Sequence, residues 1–210
     1  MAGFENQDDL QAEFKVFGMS DFGFYFGIGW EHILTIEALD HIFFIAALSA
    51  IYVLGDWKQV LVLITSFTIG HAITLILSSK GIVQVNTALV EFLVPCTIMA
   101  TAVTNCFQKN FTKKAIRFNY FLALFFGLIH GLAFAETLAT ILARDQNFVT
   151  AWISFSLGLE LAQILVVVTI LLLAELVIRG FKLDRRWWVL LVSIPVFVLA
   201  LKMAIERRPW

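Results

Sequence analysis

From residue 36 to residue 205 the chain is a succession of apolar runs of about 20 residues, separated by short polar stretches. A helix needs roughly that length of mostly apolar sequence to cross the hydrocarbon core of a bilayer. Composition agrees: 60% of the 210 residues are hydrophobic and 15% charged, where an ordinary soluble domain is about half apolar and a quarter charged. The expectation is an all-α, polytopic membrane helix bundle of about six transmembrane helices, forming a single domain over residues 22–210.

Candidate spans cover 36–54, 58–78, 87–108, 118–142, 149–179 and 187–205. The fifth is too long to cross perpendicularly, so it should tilt or project from the membrane. Trp187 and Trp188 open the sixth as an interface anchor. The apolar 22–28 segment is too short to span. It is expected to lie at the interface or re-enter, with a seventh span as the alternative. Residues 1–21 are polar and acidic and lack the basic and apolar regions of a signal peptide, so they read as an exposed tail or surface helix.

Lys and Arg set the orientation. With six spans, Lys58, the basic 109–117 loop and Arg179 to Arg186 share one side, which is then cytoplasmic. Both termini are expected outside the cytoplasm, with Arg207 and Arg208 the exception to the bias. The net charge of −1 and the lack of a basic, aromatic-interleaved patch give no sign of nucleic acid. Cys96 and Cys106 fall ten residues apart in one helix, about 15 Å along its axis, and cannot bridge each other.

The chemistry lies in ionisable residues inside apolar runs, which are costly there and usually face a bundle interior. All four histidines are of this kind: His32, His41, His71 and His130. Glu37, Asp40 and His41 stand at helical i, i+3 and i+4, sharing one face. Imidazole and carboxylate at that spacing suit a first-row divalent metal, although interfacial residues capping a helix would look the same. His71 lies between Thr68 and Thr74, with Gly70 and Ala72 allowing close approach of a neighbour. A lone histidine there is as readily hydrogen-bonded glue between helices. His130 stands beside a small-residue stripe of Gly127, Gly131 and Ala135. Glu160 and Gln163 share a face with Ser156 in the fifth span, where a carboxylate should be protonated, paired or metal-bound. Glu91 is a weaker candidate, Glu136 reads equally as an end-of-helix carboxylate near water, and Glu175 reads as interfacial. Because alternate spans run in opposite directions, Asp40, His41, His71, Glu91, His130 and Glu160 all fall in the half of the membrane nearest the N-terminal tail.

The ordered segments around Trp30-Glu31-His32, Asp40-His41-Ile-Phe-Phe, Gly70-His71-Ala, His130-Gly-Leu-Ala-Phe-Ala and Gly158-Leu-Glu160-Leu-Ala-Gln163 resemble the HupE/UreJ family over roughly residues 29–165. The resemblance implies a small bacterial inner-membrane protein of about six spans, regarded as a nickel or cobalt permease. It implies functional roles for His32, Asp40, His41, His71, His130 and Glu160. Seven residues separate His32 from Asp40 where the family usually has five, so either the helix begins after His32 or His32 is not an equivalent ligand.

Three functions follow from the same residues. The leading one is a permease for a divalent transition metal, nickel first and cobalt or zinc next. The second is an intramembrane metal-dependent hydrolase, with Glu160 or Glu136 as base. The third is a non-catalytic subunit whose histidines only join helices. A permease needs a polar path to both faces. In the cytoplasmic half the spans offer only Thr101, Thr104, Asn105 and Asn119, which favours the hydrolase.

Overall fold

The computed structural model describes residues 21–35, 38–83, 85–108, 113–142 and 148–210, with backbone alone at 21, 113–118 and 135–142. The described residues fold into seven α-helices and no strands. They are α1 (Asp21–Leu34), α2 (Leu39–Ser49), α3 (Trp57–Ser79), α4 (Thr87–Phe107), α5 (Lys113–Leu142), α6 (Phe148–Glu175) and α7 (Arg185–Glu206). A 3-10 turn, Leu54–Asp56, leads into α3, and α6 runs on into a π turn, Leu176–Gly180. The acidic tail, Glu37 and most of the basic 109–117 loop lie outside the described residues.

Among the described residues, four helices are long and apolar enough to cross a membrane: α3 with its leading turn, α4, α6 with its π turn, and α7. α1 and α2 pass the same test only together, as a pair bent by 70°. The thirty-residue α5 carries an apolar stretch, Asn119–Phe134. The result is an all-α bundle integral to a membrane.

The first expected span is corrected. Its start agrees, since α2 opens at Leu39 after the break from α1, but the helix ends at Ser49 and not at residue 54. The 22–28 segment is accordingly part of a 14-residue helix that carries His32 in its last turn. At 1.5 Å per residue α2 is only about 17 Å long, roughly half a hydrocarbon core. The basic loop is also shorter than expected, because α5 already begins at Lys113.

Local chemistry fixes several ends. The Asn86 carboxamide accepts hydrogen bonds from the backbone of Ala88 and Leu89 and opens α4. Asp184 does the same for α7 through Arg186 N at 2.9 Å. α3 stops at Gly81, whose φ of +67° lets Ile82 N reach back to Leu77 O.

Two seams bring helix backbones into contact. In the α3–α5 seam a Cβ on Gly127 would collide with Phe67 O, and one on Gly70 with Leu124 O. In the α1–α6 seam Gly29 meets Phe155 O and Gly158 meets Phe26 O in the same way. Lipid supplies no hydrophobic drive for helix association, so this close packing is what holds such pairs together. The seam read from Gly127 and Gly131 is therefore present; the side chain of Ala135 lies outside the described residues.

Candidate metal centre

The two seams carry the histidines inward. His71 follows Gly70 in α3, and a Cβ on Gly131, next to His130, would stand 2.7 Å from His71 O. His32 lies three residues beyond Gly29, and its ring packs 5.9 Å from Phe155 of α6. His41 arrives from the first turn of α2, where the break has redirected the chain.

The four imidazoles from α1, α2, α3 and α5 form one cluster. Ring centroids are 4.6 Å apart for His32–His41, 5.2 Å for His41–His130, 5.7 Å for His32–His71 and 6.1 Å for His41–His71. Phe44, Phe67, Phe134 and Phe155 wall it in, with Phe134 4.0 Å from His32 and Phe44 4.9 Å from His130. His71 and His130 have 1% and 0% of their surface exposed, so no bulk water reaches them.

The hydrogen bonds indicate which nitrogens keep lone pairs. His41 Nδ1 lies 2.9 Å from Asp40 Oδ1, and an ionised carboxylate only accepts, so Nδ1 carries the proton and Nε2 the lone pair. Thr97 has one hydroxyl proton and gives it to Val94 O at 2.7 Å. His130 Nε2, 3.3 Å from Thr97 Oγ1, is therefore the donor of that contact, and Nδ1 keeps the lone pair. Among the described residues, His41 Nε2, His130 Nδ1, His32 Nε2 and both ring nitrogens of His71 are buried without a hydrogen-bond partner. Leaving a buried polar group unpaired costs about 1–3 kcal/mol, and five such nitrogens stand in this one cluster.

Four of the six ring pairs stand near the spacing of a metal site, but the cluster does not close on one. With metal–nitrogen bonds of about 2.0–2.1 Å in a tetrahedron, ring centroids stand about 5 Å apart. Among the described residues, however, no group of three or more His, Cys, Asp or Glu side chains is arranged to hold a metal ion as it stands.

Asp40 is engaged on both oxygens. Oδ1 accepts from the His41 backbone amide at 2.9 Å as well as from its ring, and Oδ2 accepts from Arg207 Nη1 at 2.9 Å. Sequence reading missed Arg207, a residue of the basic C-terminal end that folds over the cluster. It also missed Thr97, which looked like an unremarkable threonine in an apolar helix.

The remaining candidates lie elsewhere. Glu160 accepts from Thr65 Oγ1 at 2.6 Å, and Gln163 Oε1 from Thr68 Oγ1 at 3.1 Å; both partners precede His71 on α3. Glu91 is exposed near the start of α4, and Glu175 pairs with Arg179 at 2.8 Å. The Glu37 residue and the Glu136 side chain lie outside the described residues. Cys96 and Cys106 are both free thiols. Since the chain breaks between them, His32 and Asp40 belong to different helices, and their spacing along a continuous helix no longer applies.

No curated protein and no solved structure matches this chain. The sequence profile described as HupE / UreJ protein matches residues 8–207, nearly the whole chain. With that coverage, the chain belongs to the HupE/UreJ family.

Proposed function

We propose that this protein is a permease for a divalent transition metal, nickel first and cobalt or zinc next, that takes the ion from the extracytoplasmic side onto the four-histidine cluster. One observation carries the reading: among the described residues, ring nitrogens of imidazoles from four separate helices are buried together with no hydrogen-bond partner. Imidazole nitrogen without thiolate suits nickel, cobalt and zinc. The family is generally associated with nickel and cobalt transport, which supports the same class of cargo. His32, His41, His71 and His130 bind the ion after small side-chain rotations. Asp40 orients His41 from behind, as carboxylates commonly do for metal-bound histidine. Glu160 and Gln163, on the face of α6 toward Thr65 and Thr68, are secondary groups along the path.

The broken α1–α2 pair supports this further. Half-helix ends within a membrane characteristically border ion sites, and the carbonyl end of α1, where His32 sits, favours a cation. Phe92 at the start of α4 packs 5.3 Å from Trp210, and Arg207 reaches Asp40, so the histidines lie toward the C-terminal end of the bundle. The Lys and Arg bias supports an orientation with that end outside the cytoplasm.

Purified protein in liposomes is the test. Wild type is expected to bind about one Ni²⁺ and to carry Ni²⁺ at a rate at least tenfold above His71→Ala. A triple alanine variant at His41, His71 and His130 should retain no metal. Binding without flux for nickel, cobalt and zinc alike would overturn the permease and leave the hydrolase.

A further inference from the structure

A second chamber lies beyond the histidines. It is a cavity of about 230 Å³ bordered by α2, α4 and α5 and lined by Thr101, Thr104, Asn105 and Asn119 among apolar groups that include Leu48 and Phe126. These are the four polar residues that the cytoplasmic half of the spans offered in sequence, and the fold gathers them in one place. The volume has room for several waters.

Three of its four polar side chains present oxygen acceptors. Thr101 gives its hydroxyl proton to Thr97 O at 2.9 Å, and Thr104 gives its own to Ala100 O at 2.7 Å. Asn105 Nδ2 donates to Ala47 O at 2.6 Å and to Ser193 Oγ at 3.4 Å, so its amide oxygen is the group left for a ligand. Hydroxyl and amide oxygens with their protons engaged elsewhere receive a cation, not an anion.

One face of α4 runs from the cluster to the chamber. Thr97, which touches His130, stands at i, i+4 and i+8 with Thr101 and Asn105, on one helix face about 12 Å long. That face runs away from the Asp40–Arg207 end. We propose that this cavity is a second station for the same divalent cation, reached past Thr97, where neutral oxygens hold it weakly before release on the far side. The inference rests on the permease reading. Imidazole binds first-row divalent ions better than neutral oxygen does, so the two stations form a descending ladder that allows the ion to leave.

The experiment uses full-length protein in liposomes, in a background with Cys96 and Cys106 replaced by Ser. Thr101→Phe, which fills the cavity, should lower the Ni²⁺ flux at least tenfold and leave about one Co²⁺ bound with unchanged visible absorption. Thr101→Ser should keep wild-type flux. Wild-type flux through Thr101→Phe overturns the second station. A separate arm needs no flux: Thr104→Cys should react with a charged, water-soluble thiol reagent, and millimolar Co²⁺ should slow that reaction. Reaction with a lipid-soluble maleimide alone would make the cavity an acyl-chain pocket and overturn the proposal. If wild type carries no ion yet Co²⁺ protects Thr104→Cys, the permease reading fails while the cation site stands.

Discussion

Two Asp–Arg pairs tie α7 to the α2 region, one at each end, and they differ in everything but composition. At the C-terminal end Arg207 reaches Asp40 at 2.9 Å, and the carboxylate's other oxygen holds His41. At the opposite end Arg185 reaches Asp56 at 3.3 Å and also donates to Ile51 O, just beyond α2. The Asp40 side chain is 12% exposed, against 28% for Asp56. Both pairs hold the short α2 against a helix twice its length, but Asp40 also contacts a histidine of the cluster. An ion pair is thus a clamp where water reaches it, and part of a ligand set where a buried imidazole completes it.

The largest effect expected from breaking this contrast is at Asp40. Asp40→Asn keeps the shape and leaves Arg207 a neutral acceptor, but it removes the charge that fixes the proton on His41 Nδ1. Loss of such an orienting carboxylate typically lowers metal affinity about 10–100-fold. Isothermal titration of Ni²⁺ into wild type and Asp40→Asn measures it. Unchanged affinity would mean that Asp40 acts only as a helix clamp, like Asp56.

Arg207 sharpens the comparison at a smaller scale. Its guanidinium is half-buried beside the cluster, so it competes with an incoming cation for Asp40 while holding that carboxylate in place. Arg207→Lys keeps the charge but gives up the planar fork that matches a carboxylate, so a several-fold weaker Ni²⁺ affinity is expected, short of the Asp40→Asn loss. The same titration checks it. An effect larger than that of Asp40→Asn would give the guanidinium a role independent of Asp40.

These residues also show how far the sequence could be read. His71 and His130 were legible because a titratable ring beside Gly70 or Gly131 in an apolar run must face a neighbouring helix, and both do. The helix order was legible from hydropathy, which reports what a segment can be dissolved in. The start of the apolar run at 36 matches the 70° bend between α1 and α2, but hydropathy is silent on backbone continuity, so the end of α2 at Ser49, inside the run over 36–54, was invisible. Glu160 was legible as a carboxylate needing a partner, but Thr65, 95 residues earlier, was not legible as that partner. Arg207 lies 167 residues from Asp40, and at a basic chain end it looks like an interface anchor. Only the folded chain makes it a neighbour of the histidines. Thr101, Thr104, Asn105 and Asn119 read as too few for a path, because composition along a helix does not show that two helices place them around one cavity.

The smallest effect is expected at Asp56, and it is the control that gives the others meaning. Asp56 Oδ2 accepts from Val53 N at 3.2 Å as well as from Arg185, so Asp56→Asn retains an acceptor for the turn and loses only charge. Partly exposed pairs of this kind contribute about 0–1 kcal/mol, because water screens them and two side chains must be held in one geometry. Asp56→Asn should therefore unfold at nearly the wild-type temperature and bind Ni²⁺ with wild-type affinity. The Arg185 donation to Ile51 O survives the change and keeps α7 against the end of α2. A double-mutant cycle of Asp56→Asn with Asp40→Asn, read by Ni²⁺ titration, should show no coupling, since the two carboxylates sit at opposite ends of α2 and share no partner. Coupling above about 0.5 kcal/mol would show that the far end of α2 sets the geometry of the histidine cluster, and the division of the two pairs into clamp and ligand support would no longer hold.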